Sequence, residues 1–164
     1  MKNTLKVTTP TDREIVMTRD FDAPRHMVWE AMVKPDLIKR WLFLPPGWEM
    51  TTCDEDVRVG GSYRWAWAGL DGKTAMVMHG VYREVVPPER IARTEIFEMG
   101  CVPQEGEQLV TIVFTEQAGK TTLTLTALYP SKEARDGMIA SGMERGVSAG
   151  YDKMEAMLAM SVNK

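Results

Sequence analysis

The chain has 164 residues, a formal net charge of -3 and 26% charged residues. That length fits one domain, residues 1–164, with a core of its own, and the slight negative charge offers no basic footprint for a nucleic-acid partner. No apolar run approaches the roughly 20 residues a membrane helix needs, and the polar opening Met1–Asp12 lacks the apolar stretch of a secretory signal.

Residues 1–12 read as a polar, poorly ordered lead-in. Glu14–Asp22 alternates as a strand, with Ile15, Met17, Arg19 and Phe21 on one face. Asp22-Ala23-Pro24-Arg25 starts a helix, since proline suits the first helical position. Val28, Trp29, Met32 and Val33 carry its period, Lys34-Pro35-Asp36 breaks it, and a second short helix holds Leu37, Ile38, Trp41 and Leu42. Pro45-Pro46-Gly47 ends that element.

Strands and turns follow. Trp48–Val57 precedes the Gly60-Gly61 turn, and Ser62–Ala68 sets Tyr63, Trp65 and Trp67 on one face. Asp71-Gly72 suits a hairpin turn, because both residues tolerate positive φ. Thr74–Val86 runs to Pro87-Pro88, Arg90–Met99 follows, and Val102–Gly106 reads as a polar loop. Glu107–Glu116 carries Val110, Ile112 and Phe114, and Thr121–Leu128 carries Leu123 and Leu125 opposite a row of threonines. Such alternation describes an antiparallel sheet wet on one side.

Lys132–Val162 contains no proline, and Met143, Val147, Tyr151, Met154, Met157 and Leu158 recur at helical spacing. One helix of about 30 residues would be about 45 Å long. Gly142, Gly146 and Gly150 stack on one of its faces; each costs about 1 kcal/mol against alanine. They let the sheet approach closely, leave space beneath the helix, or mark a kink or break in it. Without βαβ alternation the class is α+β: a curved antiparallel sheet of about six to seven strands around a long C-terminal helix, with two short helices after the first strand.

Four blocks of residues carry a family resemblance. Arg19-Asp20-Phe21-Asp22-Ala23-Pro24-Arg25 with Val28-Trp29-Glu30-Ala31, Pro35 and Lys39-Arg40-Trp41 form the first. Asp56–Tyr63, Gly80–Ile91, and Gly142–Gly146 with Tyr151–Met154 form the rest. In that order they resemble the activator of heat-shock protein 90 ATPase homologue family, from about Arg13 to Met160. The resemblance implies one START-like (SRPBCC) domain of helix-grip fold, with an apolar pocket between sheet and C-terminal helix. It also implies a range of uses: lipid or polyketide binders, cyclases, and co-chaperones that carry a further N-terminal domain. Val147 departs from the pattern, standing where a larger, often aromatic residue is expected.

The chain holds 13 methionines, and five tryptophans against four phenylalanines. Methionine adapts to varied apolar partners, and tryptophan offers large contact area with one N–H. The expected lining is therefore Tyr63, Trp65, Trp67, Met76 and Met78 on the sheet side, Met143, Val147, Tyr151 and Met154 on the C-terminal helix, and Trp41 of the second short helix, with the way in near Trp41–Trp48. The alternative is that these side chains simply fill a core.

Catalytic signals are sparse. His26 and His79 have no metal-ligand spacing, so no metal and no cofactor is expected. His79 is the best general base if its strand face points inward. Tyr151 and Glu95 are the other acid–base candidates. Arg93 and Glu95 share a face with Ile91 and Phe97; either that face is solvated, the preferred reading, or these charges orient a ligand. No nucleophile elbow occurs, and Gly60-Gly61-Ser62-Tyr63 lacks the third glycine of a dinucleotide fingerprint. Cys53 and Cys101 are too few for a disulfide scaffold and read as small buried hydrophobes in a reducing cytoplasm.

The expectation is a binder of a small apolar molecule. The alternatives are a cyclase- or lyase-type enzyme using an acid–base side chain in the same cavity, and a chaperone-contacting module; a homodimer is compatible with each.

Overall fold

The computed structural model describes residues 3–42, 44–99, 102–103 and 106–162. In chain order the elements are β1 (Lys6–Thr8), β2 (Glu14–Phe21), α1 (Arg25–Val33), α2 (Pro35–Trp41), β3 (Glu49–Glu55), β4 (Ser62–Ala68), β5 (Thr74–Val86) and β6 (Arg90–Met99). Then come β7 (Val102–Pro103), β8 (Gln108–Gln117), β9 (Lys120–Leu128), α3 (Lys132–Ala140) and α4 (Met143–Val162). All pairings are antiparallel, in the order β1-β2-β9-β8-β6-β5-β4-β3, with β7 added to β6. The sheet curves around α4 while α1 and α2 close one end, which is the α+β helix-grip arrangement the sequence predicts.

Two strands exceed the expected six to seven. β1 lies inside the segment read as disordered: Lys6, Val7 and Thr8 pair with Thr18, Met17 and Val16. Its three residues carry no apolar alternation, and backbone pairing to an edge strand needs none. Val102 and Pro103, read as loop, pair with Met99 and Glu98 as β7.

Alternation places one face of every long strand against the helices. On β2, Ile15, Met17, Arg19 and Phe21 are buried. β8 and β9 add Val110, Ile112, Phe114, Leu123 and Ala127. At about 25 cal/mol per Å² of apolar surface, this shared face is the main source of stability. Trp41 ties the helical plug together, its indole Nε1 donating to the Ala31 carbonyl at 2.7 Å.

The single C-terminal helix is corrected to two. α3 ends at Ala140, and Gly142 takes φ +80°, the left-handed region that suits glycine after a helix end. The Ser141 N–H still reaches back to Gly137, and the Gly142 N–H reaches the Ile139 carbonyl. α4 then starts at Met143 and has 20 residues, about 30 Å rather than 45 Å. Separate cations hold the two pieces. Arg135 of α3 donates to the Thr11 carbonyl at 2.8 Å, and Arg19 of β2 donates to Asp152 of α4 at 3.1 Å.

β5 and β6 draw together at Gly80. A Cβ built there lies 1.9 Å from the Thr94 carbonyl oxygen. Tyr63 is the cross-strand neighbour of Gly80, and its hydroxyl donates to that same carbonyl at 2.8 Å. A side chain at residue 80 would obstruct both contacts. Gly80→Ala is therefore expected to destabilise the protein by about 1–3 kcal/mol, the usual cost of overpacking. Gly137→Ala in α3, where nothing stands within 4 Å of the added carbon, should stabilise by about 0.5–1 kcal/mol. Urea unfolding checks both signs; a neutral Gly80→Ala would show that the two strands part without cost.

Candidate functional site

The register assembles the site on the concave side of β3–β6. Trp65 pairs with Cys53 on β3 and Met78 on β5, Trp67 pairs with Met50 and Met76, and Tyr63 pairs with Glu55. Tyr82 on β5 pairs with Arg93 on β6, and Glu95 pairs with Gln108 on β8. Directly opposed residues share a face, so all of these side chains look toward the helices. The rings form a chain. Trp67 and Trp65 are 6.5 Å apart, Trp65 and Tyr63 5.9 Å, and Tyr63 and Tyr82 5.5 Å.

Arg93 is the centre of this face. Its residue is 3% exposed, which overturns the solvated reading of Arg93 and Glu95. The strand's odd-numbered residues turn inward with Ile91, and charge does not exempt a residue from the alternation. The guanidinium carbon lies 4.7 Å from the Tyr63 ring centre and 5.3 Å from that of Trp65, positions where cation–π attraction compensates part of the lost hydration. Arg93 Nη2 stands 3.8 Å from Glu95. Arg93 Nε and Nη1, and Trp67 Nε1, are buried with no hydrogen-bond partner among the described residues.

Two carboxyl groups flank the guanidinium. Glu95 accepts from Gln108 Nε2 at 3.0 Å; burial pushes its carboxyl up, while Arg93 and Gln108 pull it back. Glu55 accepts from Trp65 Nε1 at 2.9 Å and from the Tyr82 hydroxyl. Burial raises its carboxyl too, against the pull of Tyr82, Arg93 and Trp65. Tyr151 is buried beside Phe21 and Trp41, with ring centres 5.6 and 5.9 Å away. Burial pushes its hydroxyl up to about 12, opposed by Arg93 and Arg19 and aided by Glu95. A phenol of that kind stays protonated at neutral pH and serves as a hydrogen-bond donor rather than a base.

The predicted residues fall into three groups. Trp41, Tyr63, Trp65, Trp67, Tyr151 and Met154 are buried, whereas Met76, Met78, Met143 and Val147 are half-buried against the core. His79 lies on the opposite face of β5, across from Arg64 and Ile96, with Nε2 3.5 Å from Glu98. The condition under which it would be a pocket base is therefore not met. Cys53 is buried behind Trp65, and burial raises its thiol to about 11; Cys101 lies outside the described residues. The sequence reading missed Glu55, Tyr82 and Gln108. The available signal was the two-residue spacing of Tyr82 from Gly80, Met78 and Met76, and of Glu55 from Cys53.

Two cavities among the described residues lie elsewhere. One, of about 520 Å³, crosses the outer face between Arg83, Arg90, Thr111 and Pro130. The other, of about 590 Å³, opens between α1, α2 and the end of α4, at Met27, Leu37, Met157 and Leu158. No group of three or more His, Cys, Asp or Glu side chains among the described residues is arranged to hold a metal ion.

The family described as Activator of Hsp90 ATPase homolog 1-like protein matches residues 22–159. A crystal structure of a Rhodobacter sphaeroides protein is similar at 30% identity over 96% of this chain and 99% of that one, with a TM-score of 0.87. The protein Ms6760 from Mycobacterium smegmatis has the same fold at 24% identity, covering 98% and 99% of the two chains, with a TM-score of 0.82. Protein NE0264 from Nitrosomonas europaea shares it at 19% identity over 95% and 100%, with a TM-score of 0.79. No curated protein matches the chain.

Two outcomes follow from the buried groups. Because the folded Glu55 carboxyl is raised above 4.5, the stability it contributes is present below that pH and is lost as pH rises through the folded value. The stability difference between wild type and Glu55→Gln should thus shift toward the variant between pH 4.5 and neutrality. Urea midpoints at both pH values measure it, and a constant difference would contradict the assignment. For Cys53, peptide mapping after iodoacetamide treatment should show labelling at least about tenfold slower in native than in urea-unfolded protein, since the raised thiol is scarcely ionised. Equal rates would place it at the surface.

Proposed function

The chain belongs to the Activator of Hsp90 ATPase homolog 1-like family, and on that basis we propose that it holds a small apolar or aromatic molecule between its sheet and α4. The observation that carries this reading is a contrast along α4. Its later turns bury Tyr151, Met154, Met157 and Leu158 completely or nearly so. Its first turns leave Met143 and Val147 half-buried, as are Met76 and Met78 on β5.

The deep part of the interior is packed by Trp65, Trp67 and Tyr63, so a ligand beneath α4 would lie against its earlier turns. Three of the four residues assigned to that space are methionines, whose thioethers reshape to fit varied apolar partners. The two indoles provide a rigid wall, and a few polar groups lie next to it. Apolar walls with a small number of placed polar atoms are what small-molecule sites commonly present. Val147 is smaller than the residue the family pattern suggests, which favours a ligand at the same place.

Thermal unfolding against a panel containing 1-octanol, indole and 1-naphthalenemethanol tests this. A binder present at 100 times its Kd adds about 2.7 kcal/mol, a rise in Tm of roughly 5–11 °C for a domain of this size. Val147→Trp, which fills the space beneath α4 from a half-buried position, should abolish the rise while leaving the ligand-free Tm within about 3 °C, as a tolerated substitution does. A panel that leaves Tm unmoved would overturn the reading.

A further inference from the structure

We infer that the molecule held beneath α4 carries an acidic oxygen-bearing head, of which a carboxylate is the simplest, and that Arg93 binds it; this deepens the reading above and rests on it. Buried polar atoms are almost always paired, and leaving one unpaired is costly, the more so for a charged group. Among the described residues the buried side-chain atoms without a partner are Arg19 Nε, Trp67 Nε1, Arg93 Nε and Arg93 Nη1. All four are N–H donors. What this interior lacks is therefore an acceptor, not a donor.

Three of the four belong to one place. Arg93 lies against the Trp65 ring, and Trp65 lies against Trp67. The floor of the proposed site thus presents a guanidinium with two unpartnered nitrogens at one end of a wall of rings, and an indole N–H farther along it, beyond Trp65. A carboxylate brings two oxygens and about four lone-pair sites and accepts from guanidinium in strong charge-assisted bonds. An alcohol brings one oxygen and no charge.

The neighbouring acids do not already fill this role. Glu95 is 3.8 Å from Arg93 Nη2, beyond hydrogen-bond distance, and gives one oxygen to Gln108. Glu55 is occupied by Trp65 and Tyr82. Burial also biases both carboxyls toward their neutral form, which reduces their repulsion of an incoming anion. The ligand class is then an apolar chain or ring ending in an acid, with its tail among Met76, Met78, Met143 and Val147.

Calorimetric titration of the wild-type protein with matched pairs, octanoate against 1-octanol and 1-naphthoate against 1-naphthalenemethanol, reads this directly. The acids should bind at least about tenfold more tightly than the alcohols. Arg93→Met should erase that preference while alcohol affinity stays within about threefold. If Arg93→Met does not fold, ¹⁵N spectra of the arginine Nε–H groups in the wild-type protein take its place. Octanoate should then shift the Arg93 resonance, and 1-octanol should leave it unmoved. Equal affinity of acid and alcohol for the wild type overturns the inference and leaves the binding role standing. Binding of neither class to the wild type overturns both.

Discussion

Arg19 sits on the apolar face of β2 with its side chain 1% exposed, and its partners, Asp152 and Glu155, both come from α4. A buried guanidinium stripped of such partners is costly, on the order of 3–5 kcal/mol. The helix cannot slide or rotate over the sheet without separating these charges, so this contact sets its position. Tyr151, one residue before Asp152, is thereby fixed against Phe21 and Trp41. Trp41 in turn is bonded to α1. One ion pair thus locates the covering helix, and the covering helix locates the plug.

Arg93 stands under the same roof in a different condition. Arg19 is held by carboxylates from the opposing layer, whereas Arg93 is held chiefly by ring faces and by one acid at the edge of reach. The sheet therefore carries two interior cations of distinct kinds. One joins layers; the other keeps unused hydrogen-bonding capacity. Gly80 makes the second arrangement possible, since its missing side chain lets the Tyr63 ring lie across β5 toward β6. The family match locates the fold, and these particular contacts give this member its chemical character.

Much of the architecture was legible because the strands alternate strictly. The inward faces of β2, β4, β8 and β9 follow directly from Ile15, Trp65, Ile112 and Leu123 and their spacing. β1 was not, because Lys6-Val7-Thr8 has no pattern and forms only through its neighbour. The helix break stayed one of several readings of Gly142, Gly146 and Gly150 for the opposite reason: Met143, Val147 and Met154 keep a true helical period on the far side of Gly142, and periodicity does not register a single left-handed residue. At the site, the aromatic wall was visible in the two-residue spacing of Tyr63, Trp65 and Trp67. The fate of Arg93 was not. Whether a charge on an inward face is tolerated depends on partners from β3, β4, β5 and β8, brought together by register rather than by sequence distance. His79 failed likewise, since its face is fixed by one step of parity relative to Met78.

The turn at Gly142 divides the roof of the molecule into two tiles, each nailed down by its own arginine. Arg135 secures the first to the backbone of the N-terminal segment, and Arg19 secures the second near its middle. The opening turns of α4 thus lie between a swivel and a nail, and they carry the half-buried Met143 and Val147. Evolution can change two or three side chains there without rewriting either fastening.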